Sequence, residues 1–129
     1  MNIPENLLYT KEHEWVKIEG KRATMGIDDY AQSSLGDITF IELPKVGDIC
    51  KQFEQFATVE SVKAASDVYA PMSGKIVKVN DDVQNSPEMI NQDPYEKGWF
   101  VVIELSDEGE KDNLMNLTKY QEYLKESAA

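Results

Sequence analysis

A single lysine, Lys63, carries the strongest candidate chemistry in this sequence. It lies within TVESVKAASDVYAP, residues 58–71, between small or apolar neighbours, and acids stand further out at Glu60 and Asp67. The flanking segments alternate as strands do, and the few residues between them suffice only for a tight reversal. The sequence therefore predicts that Lys63 lies at or beside the tip of a β-hairpin, where its amine faces solvent.

An exposed turn lysine allows two interpretations. In most proteins such a residue contributes only to solubility. Here the neighbouring side chains are small and leave the amine open to an approaching enzyme: Ser61, Ala64, Ala65 and Ser66. An accessible amine on a rigid tip suits acylation, so Lys63 is either a solvated surface residue or the point at which a group is attached.

The other residues that commonly do chemistry are scarce. The only cysteine, Cys50, excludes an internal disulfide framework and a multi-cysteine metal site, and its neighbours predict a small, half-buried strand residue. The only histidine, His13, stands between Glu12 and Glu14, which favours a charged surface position. The sequence has none of the phosphate-loop, dinucleotide, zinc-protease or serine-hydrolase motifs. We therefore predict a protein that is not itself an enzyme.

The composition favours one acidic globular domain. A chain of 129 residues with 41% hydrophobic content is sufficient for a single core. Its formal charge of −11 would repel nucleic acid and anionic lipid and favours basic partner surfaces. No apolar run approaches the roughly 20 residues of a membrane-spanning helix, and the first residues lack a secretory or transit pattern. We expect a cytoplasmic protein, or a mature organellar form, that binds neither nucleic acid nor membranes.

Most of the chain shows the alternation of β-strands. Apolar and polar residues alternate on both sides of Gly20, which predicts a hairpin. β-Branched and aromatic runs predict further strands at DITFIELP, FATVES, SDVYAP, GKIVKVN and WFVVIEL. The pattern as a whole predicts a mainly β protein.

Three helical segments are predicted at the periphery. The segment DDYAQSSLG has acids at its start and Gly36 where a helix needs a left-handed cap. In SPEMIN, Ser86 is the predicted N-cap of a single turn, with Pro87 at the first helical position. Near the C-terminus, Thr118 and Gln121 form a capping-box pattern before an apolar stripe that should pack on the sheet. That stripe consists of Tyr120, Tyr123 and Leu124.

Four blocks of the sequence have the order and the spacing of the corresponding blocks in a known family. They are YTKEHEWV, GIDDYAQSSLGDITFIELPKVGD, VESVKAASDVYAPMSGKIVKVN and SPEMINQDPYEKGWF. Together they resemble the H-protein family of the glycine cleavage system from Tyr9 to Tyr123. The resemblance implies a barrel-sandwich hybrid of two antiparallel sheets, as in lipoyl and biotinyl carriers, with short peripheral helices and a C-terminal helix. It also implies a single lipoyl-carrier domain over 1–129, with a core at about 9–105 and a C-terminal helical segment at about 107–126.

The resemblance implies that lipoic acid is attached through an amide to the lysine of E-S-V-K-A, which is Lys63. The modified protein would shuttle the aminomethyl group of glycine from the pyridoxal-phosphate glycine decarboxylase (P protein) to the tetrahydrofolate-dependent aminomethyltransferase (T protein). Dihydrolipoamide dehydrogenase (L protein) would reoxidise it, and a lipoate ligase or lipoyl/octanoyl transferase would attach the cofactor. Because a shuttle visits several active sites, we expect a monomer.

The resemblance also implies roles for three acids. Glu60 matches the acidic position that a lipoylating enzyme reads, and a solvated strand charge explains it equally well. Glu14 and Asp67 match positions that hold the loaded arm in a cleft, where carboxylates favour a cationic amine. Both are alternatively ordinary surface acids. Glu12 stands where some relatives have a small hydroxyl residue, so the cleft is expected to differ in detail.

Two alternatives to this function stay open. A lipoyl domain of a 2-oxoacid dehydrogenase would show D-K-A and a biotin carrier M-K-M, whereas the residues around Lys63 are V-K-A. One open alternative is an H-like lipoyl donor that relays lipoate to other 2-oxoacid dehydrogenase complexes. The other is an unmodified interaction module, in which Lys63→Arg would be harmless.

Overall fold

Two antiparallel β-sheets form the protein. The computed structural model describes residues 1–128. The strands are β1 (Leu8–Tyr9), β2 (Glu14–Glu19), β3 (Arg22–Ile27), β4 (Ile38–Glu42), β5 (Ile49–Cys50), β6 (Gln55–Ser61), β7 (Ala65–Tyr69), β8 (Gly74–Val79) and β9 (Val101–Leu105). One sheet has six strands in the order β1-β2-β3-β9-β8-β5, and the other has three in the order β4-β6-β7. The predicted mainly β fold with two antiparallel sheets is confirmed.

The predicted hairpin around Gly20 consists of β2 and β3. Gly20 has a φ of 62°, a conformation that glycine adopts without steric cost. The pairing runs without a shift from Glu14 opposite Ile27 to Glu19 opposite Arg22. Because side chains alternate across a strand, this register directs Val16, Ala23 and Met25 into one core, whereas Trp15 faces the opposite side of the sheet.

Apolar side chains of both sheets share one core. Val59 and Val68 come from the three-stranded sheet, Ile76 and Ile103 come from the six-stranded sheet, and all four are at most 2% exposed. Burial of each such side chain stabilises the fold by roughly 1.5–3 kcal/mol. The core therefore fixes the distance and orientation between the two sheets.

A second apolar cluster lies where the C-terminal helix, α4 (Leu117–Ala128), meets β1. The rings of Tyr9 and Tyr120 stack there with their centroids 4.6 Å apart. Tyr120 is fully buried, and Tyr123 and Leu124 pack partly buried beside it. The predicted packing of the helical stripe on the sheet is confirmed.

The first helix, α1 (Asp29–Leu35), begins and ends as predicted. The Asp28 carboxylate accepts a hydrogen bond from the Ala31 N–H at 2.9 Å, which satisfies one of the donors left free at a helix start. Gly36 follows the helix with a φ of 78°. The chain then enters β4 two residues after this glycine.

The next helices differ from the prediction. An unpredicted helix, α2 (Asp81–Asn85), follows β8, and the Asn80 side chain caps it by accepting from the Asp82 N–H at 3.1 Å. Ser86 ends this helix because its N–H donates to the Asp82 carbonyl oxygen at 2.8 Å. The prediction of Ser86 as an N-cap is therefore wrong. The following turn, α3 (Met89–Gln92), has Glu88 at its N-cap without a side-chain bond.

The capping-box prediction for the C-terminal helix is also wrong. A 3₁₀ helix, Glu108–Asn113, precedes α4. The Asn116 side chain accepts a hydrogen bond from the Lys119 N–H at 3.0 Å, so Thr118 lies inside the first turn. Asparagine caps a helix at least as well as threonine, and Asn116 comes first along the chain. Among the described residues, no helix combines the length and the apolarity needed to cross a membrane.

The close approach of β8 and β9 requires a glycine at position 74. A Cβ atom on Gly74 would lie 2.0 Å from the backbone oxygen of Glu104 and 2.7 Å from a methyl carbon of Ile103. Gly74→Ala should therefore lower the free energy of unfolding by about 3 kcal/mol, as overpacking does. Urea unfolding followed by circular dichroism measures this change.

Gly109→Ala is the matched control. The nearest atom to a Cβ at this exposed site would be a carboxylate oxygen of Asp107, 3.2 Å away. We expect this variant to change the free energy of unfolding by less than about 0.5 kcal/mol. Equal unfolding midpoints for Gly74→Ala and Gly109→Ala would contradict the close approach.

Candidate functional site

The hairpin of β6 and β7 carries Lys63 at its reversal. Glu60 lies opposite Ala65 at the end of the two strands. Across the turn, the Ser61 N–H donates to the Ala64 carbonyl oxygen at 2.7 Å, and the Ser61 hydroxyl oxygen accepts from the Ala64 N–H at 3.1 Å. Lys63 itself is exposed. The predicted position and exposure of the lysine are confirmed, and Ser61 closes the turn.

A further hydrogen bond fastens the tip to the rest of the protein. The Val62 N–H donates to the Asp37 carbonyl oxygen at 3.1 Å, just beyond the end of α1. The Lys63 side chain passes the same place, since a Cβ atom on Gly36 would lie 3.6 Å from the lysine Cε. The backbone of the tip is therefore held on the side that faces α1.

The outer face of the three-stranded sheet brings two of the predicted acids close together. Glu60 lies opposite Phe40 and Ala65, and Asp67 lies opposite Thr58. Opposed residues of a sheet point to the same side, and diagonal neighbours are about 7–8 Å apart. Glu60 and Asp67 are diagonal neighbours in this register, and both are exposed. They form a negative patch on the strands that carry Lys63.

Glu14 lies in a different environment. It belongs to β2 of the six-stranded sheet and is 1% exposed. Its carboxylate accepts hydrogen bonds from the Thr10 hydroxyl and, at 3.1 Å, from the Tyr69 N–H. Burial raises the pKa of Glu14 to about 7, and these two hydrogen bonds oppose the rise. The interpretation of Glu14 as an ordinary surface acid is therefore wrong, whereas Asp67 does lie on the surface.

A cleft of about 550 Å³ opens beside the partners of Glu14. It is lined by Thr10, Lys11, Glu12, Phe53, Tyr69, Asn113 and Met115. Because Thr10 and Tyr69 also bond Glu14, the buried carboxylate lies next to the cleft wall. Glu12 adds an exposed acid to the same cleft, and Lys11 adds an exposed base beside it.

Phe53 contributes to this cleft although its sequence context did not predict it. Its φ is 65°, in a left-handed region that bulky residues rarely adopt. The Phe53 N–H donates to the Ala70 carbonyl oxygen at 2.7 Å, and the side chain is 49% exposed at the cleft. Strained residues of this kind cluster at functional sites. No signal in the surrounding KQFEQ could have found this one, because the residue types carry no preference for a left-handed backbone.

The prediction of His13 as a charged surface residue is wrong. The side chain is half-buried, and its Nδ1 lies 2.7 Å from the Tyr120 hydroxyl oxygen. The His13 and Tyr30 ring centroids are 4.3 Å apart. Burial lowers the pKa of His13 because it disfavours the charged imidazolium. His13 thus acts as a packed, hydrogen-bonded residue.

Tyr120 links His13 to a second buried acid. The Tyr120 hydroxyl donates to the Asp28 carboxylate, which also caps α1. Burial raises the pKa of Asp28 to about 6, and the hydrogen bond from Tyr120 opposes the rise. Within residues 1–128, every buried polar side-chain atom has a hydrogen-bond partner. This network therefore connects the turn before β2 with the start of α1 and with α4. Its polar atoms bond one another and leave none free to bind a ligand.

Cys50 is more deeply buried than predicted. It is 6% exposed, and burial raises the pKa of its thiol to about 11. A thiol with so high a pKa is protonated and unreactive at neutral pH. In the part of the chain that the structure describes, no three histidine, cysteine or acidic residues are grouped to hold a metal ion.

These observations define the class of protein. Two antiparallel sheets share a core, helices lie at the periphery, and Lys63 projects from the tip of the β6–β7 hairpin. This is the barrel-sandwich hybrid of the lipoyl- and biotinyl-carrier type. Residues 7–127 match the family model for the glycine cleavage H-protein. The chain belongs to the glycine cleavage H-protein family.

Individual relatives are similar along almost the whole chain. The glycine cleavage system H protein of Bacillus licheniformis is 53% identical over 126 residues, which cover 98% of this chain and 99% of that protein. The H protein of Halothermothrix orenii is 52% identical, with 98% of each chain covered. A crystal structure of a glycine cleavage system H protein from Mycobacterium marinum has a TM-score of 0.85 at 35% identity, covering 98% of this chain and 100% of that one.

The buried carboxyl of Glu14 makes stability depend on pH. Its pKa rises from 4.5 to about 7 on folding, so its contribution to stability is complete below pH 4.5 and is lost as the pH rises through about 7. Glu14→Gln cannot ionise, and we expect it to gain stability relative to the wild type between about pH 5 and pH 8, by up to roughly 3 kcal/mol. Urea unfolding at each pH measures the difference.

The same substitution at Glu19, an exposed residue of the same strand, controls for the chemical change alone. Asp28 titrates in the wild type and in both variants, and its charge is only a minor cause of the raised pKa of Glu14, so most of its effect cancels in the comparison. A stability difference between Glu14→Gln and wild type that is constant across this pH range would show that burial of the charge is not costly.

Proposed function

We propose that this protein is the lipoyl carrier of the glycine cleavage system, with lipoic acid joined through an amide to Lys63. The observation that carries the proposal is an exposed Lys63 on a tip held by the backbone bonds of Ser61 and Val62. Membership of the glycine cleavage H-protein family supports it. The protein would act as a single lipoyl-carrier domain over 1–129 and as a non-catalytic component of a multienzyme system.

The surroundings of Lys63 fit a long acyl group. Ala64 and Ala65 are small and exposed, so an attached chain has open space around its first bonds. The cofactor would supply a disulfide that can be opened by reduction, and this chemistry is its own. The protein supplies a fixed attachment point for the arm. Because the arm stays attached, the effective concentration of its reactive end at a docked active site is raised.

Attachment also changes the charge of the carrier. The amide removes the positive charge of Lys63, so the formal charge becomes −11 − 1 = −12. It also removes a nucleophile that would otherwise trap carbonyl substrates. The strongly acidic surface favours partners with basic docking surfaces.

The proposed partners are those of the family. They are glycine decarboxylase, aminomethyltransferase, dihydrolipoamide dehydrogenase and a lipoate ligase or lipoyl/octanoyl transferase. A monomer would present its arm to each of these enzymes in turn. The cytoplasm is the proposed compartment, and the bacterial relatives support it.

Asp67 and Glu14 are proposed to hold the loaded arm. Asp67 is exposed on β7, the strand that follows the turn carrying Lys63. Glu14 lies next to the cleft wall through its bonds to Thr10 and Tyr69. Because a loaded arm ends in a cationic amine, carboxylates at these positions would favour its retention.

Ammonia release from the loaded protein, without the aminomethyltransferase, measures this retention. At pH 8, above the pKa of Glu14, Asp67→Asn and Glu14→Gln should release ammonia several-fold faster than the wild type because each variant loses a negative charge near the docked amine. Glu122→Gln, which changes an exposed acid on α4, is the control. Release at the wild-type rate from both test variants would remove these two residues from the site.

Lipoylation of Lys63 is tested by intact mass. Incubation with a lipoate ligase, ATP and lipoate should give one lipoyl adduct on the wild type and none on Lys63→Ala. Lys21→Ala removes another exposed turn lysine and should be modified like the wild type. An adduct that persists on Lys63→Ala would place the modification elsewhere and end the assignment.

The lipoylated protein then tests the glycine pathway. Together with a glycine decarboxylase, it should support exchange of labelled bicarbonate with the carboxyl carbon of glycine, and the unmodified protein should not. A fully lipoylated sample without exchange activity would instead favour the lipoyl donor that relays lipoate to other complexes.

A further inference from the structure

Apolar side chains are exposed next to Lys63. Phe40 is 49% exposed and Val62 is 71% exposed. Tight turns usually contain glycine, asparagine, aspartate or serine, so the stability of the turn does not explain a valine beside the lysine. Neighbouring apolar groups on a protein surface commonly mark a site of association.

The strand register puts Phe40 and Val62 on one side of the sheet. Phe40 lies opposite Glu60, and Val62 follows Glu60 at the spacing of residues that share a face. The bond from the Val62 N–H to the Asp37 oxygen continues the pairing of β4 and β6 into the turn. We call the surface formed by Phe40, Glu60 and Val62 the tip face.

An irregularity in β4 contributes to the exposure of Phe40. The register shifts between Ile38, which is buried opposite Ser61, and Phe40, which is exposed opposite Glu60. Shifts of this kind turn a side chain toward a new direction and are frequent beside functional sites. The Thr39 hydroxyl donates to the Glu60 carbonyl oxygen at 3.3 Å and holds the shifted segment on β6.

Apart from Lys63 itself, the charge on the three strands that carry the tip face has one sign. The strands β4, β6 and β7 contain three acids and no lysine, arginine or histidine. These acids, which are all exposed, are Glu42, Glu60 and Asp67. A partner that matches this surface therefore has an apolar pocket with basic side chains around it.

The short reach of a lysine identifies which partner must touch this surface. The Nζ of an extended lysine lies roughly 6 Å from its Cα, given ordinary bond lengths. An enzyme that acylates Lys63 must therefore come into contact with the side chains beside it, and Val62 is the adjacent one. An attached lipoyl group carries its sulfurs more than twice as far, so enzymes that act on the sulfurs need not touch the tip.

We propose that Phe40 and Val62 anchor the lipoate-attaching enzyme on the unmodified protein, an inference that rests on the function proposed above. In the attachment step, the neutral Lys63 amine attacks the carbonyl carbon of an acyl adenylate made from lipoate and ATP. The new C–N bond forms as the bond to AMP breaks, and the surplus proton of the nitrogen passes to solvent. Phe40 and Val62 touch none of these atoms. They are positioning residues that set KM for the carrier.

Steady-state kinetics of a lipoate ligase with the unmodified protein tests this proposal. Val62→Ser and Phe40→Ser should each raise KM for the carrier by about tenfold with kcat nearly unchanged, as loss of an interface anchor does. Val46→Ser is the matched control, because Val46 is 64% exposed and lies outside the three strands. It should keep the wild-type KM.

A second measurement separates attachment from carrier function. Each variant is lipoylated to completion with excess ligase and assayed for bicarbonate–glycine exchange. The loaded Val62→Ser and Phe40→Ser proteins should support exchange at the wild-type rate, which also shows that they are folded. An exchange defect as large as the ligation defect would overturn the assignment of the tip face to the attaching enzyme.

The remaining outcomes distinguish this proposal from the function on which it rests. Modification of wild-type Lys63 with an unchanged KM for Val62→Ser and Phe40→Ser overturns the tip-face proposal and leaves the carrier function intact. An equal rise in KM for Val46→Ser also overturns it. Failure to modify Lys63 in the wild type removes the carrier function first, and the proposal falls with it.

Discussion

The backbone hydrogen bond between Val62 and Asp37 is the contact on which the use of the hairpin tip depends. A two-stranded hairpin alone is only marginally stable in water. Here β6 pairs with β4 as well as β7, and the Val62 bond extends that pairing past the last strand residue. The sheet therefore fixes the backbone of the tip, and the side-chain torsions of Lys63 become the main freedom of its amine. A tethered reactive group needs this combination of a fixed origin and a free arm.

Buried polar side chains connect the other elements through hydrogen bonds. Glu14 bonds the Tyr69 N–H and so connects the two sheets, while Asp28 connects α1 to α4 through Tyr120. Both acids have a raised pKa because burial disfavours their charged forms. Hydrogen bonds offset only part of that cost at neutral pH. Through these bonds the two acids fix the geometry of the cleft wall and of the helix ends.

The features that the sequence predicted correctly depend on a few adjacent residues. Gly20 permits the hairpin turn, and Asp28 and Gly36 bound α1 through contacts within one helical turn. The predictions at Ser86 and Thr118 failed because each region contains several residues able to cap a helix. Packing against distant elements selects among such residues, and local preference alone does not determine the choice.

The environments of His13 and Glu14 could not have been predicted, because their partners Tyr120 and Tyr69 lie far along the chain. Lys63 was predictable because a short reversal exposes its residues whatever surrounds it. The residues proposed to act in docking are therefore largely different from those that stabilise the fold. Substitutions at the exposed tip remove few core contacts and report mainly on docking, whereas changes at Glu14 alter a buried network and the cleft together. The chemistry of the tip can therefore vary while the fold that presents it stays constant.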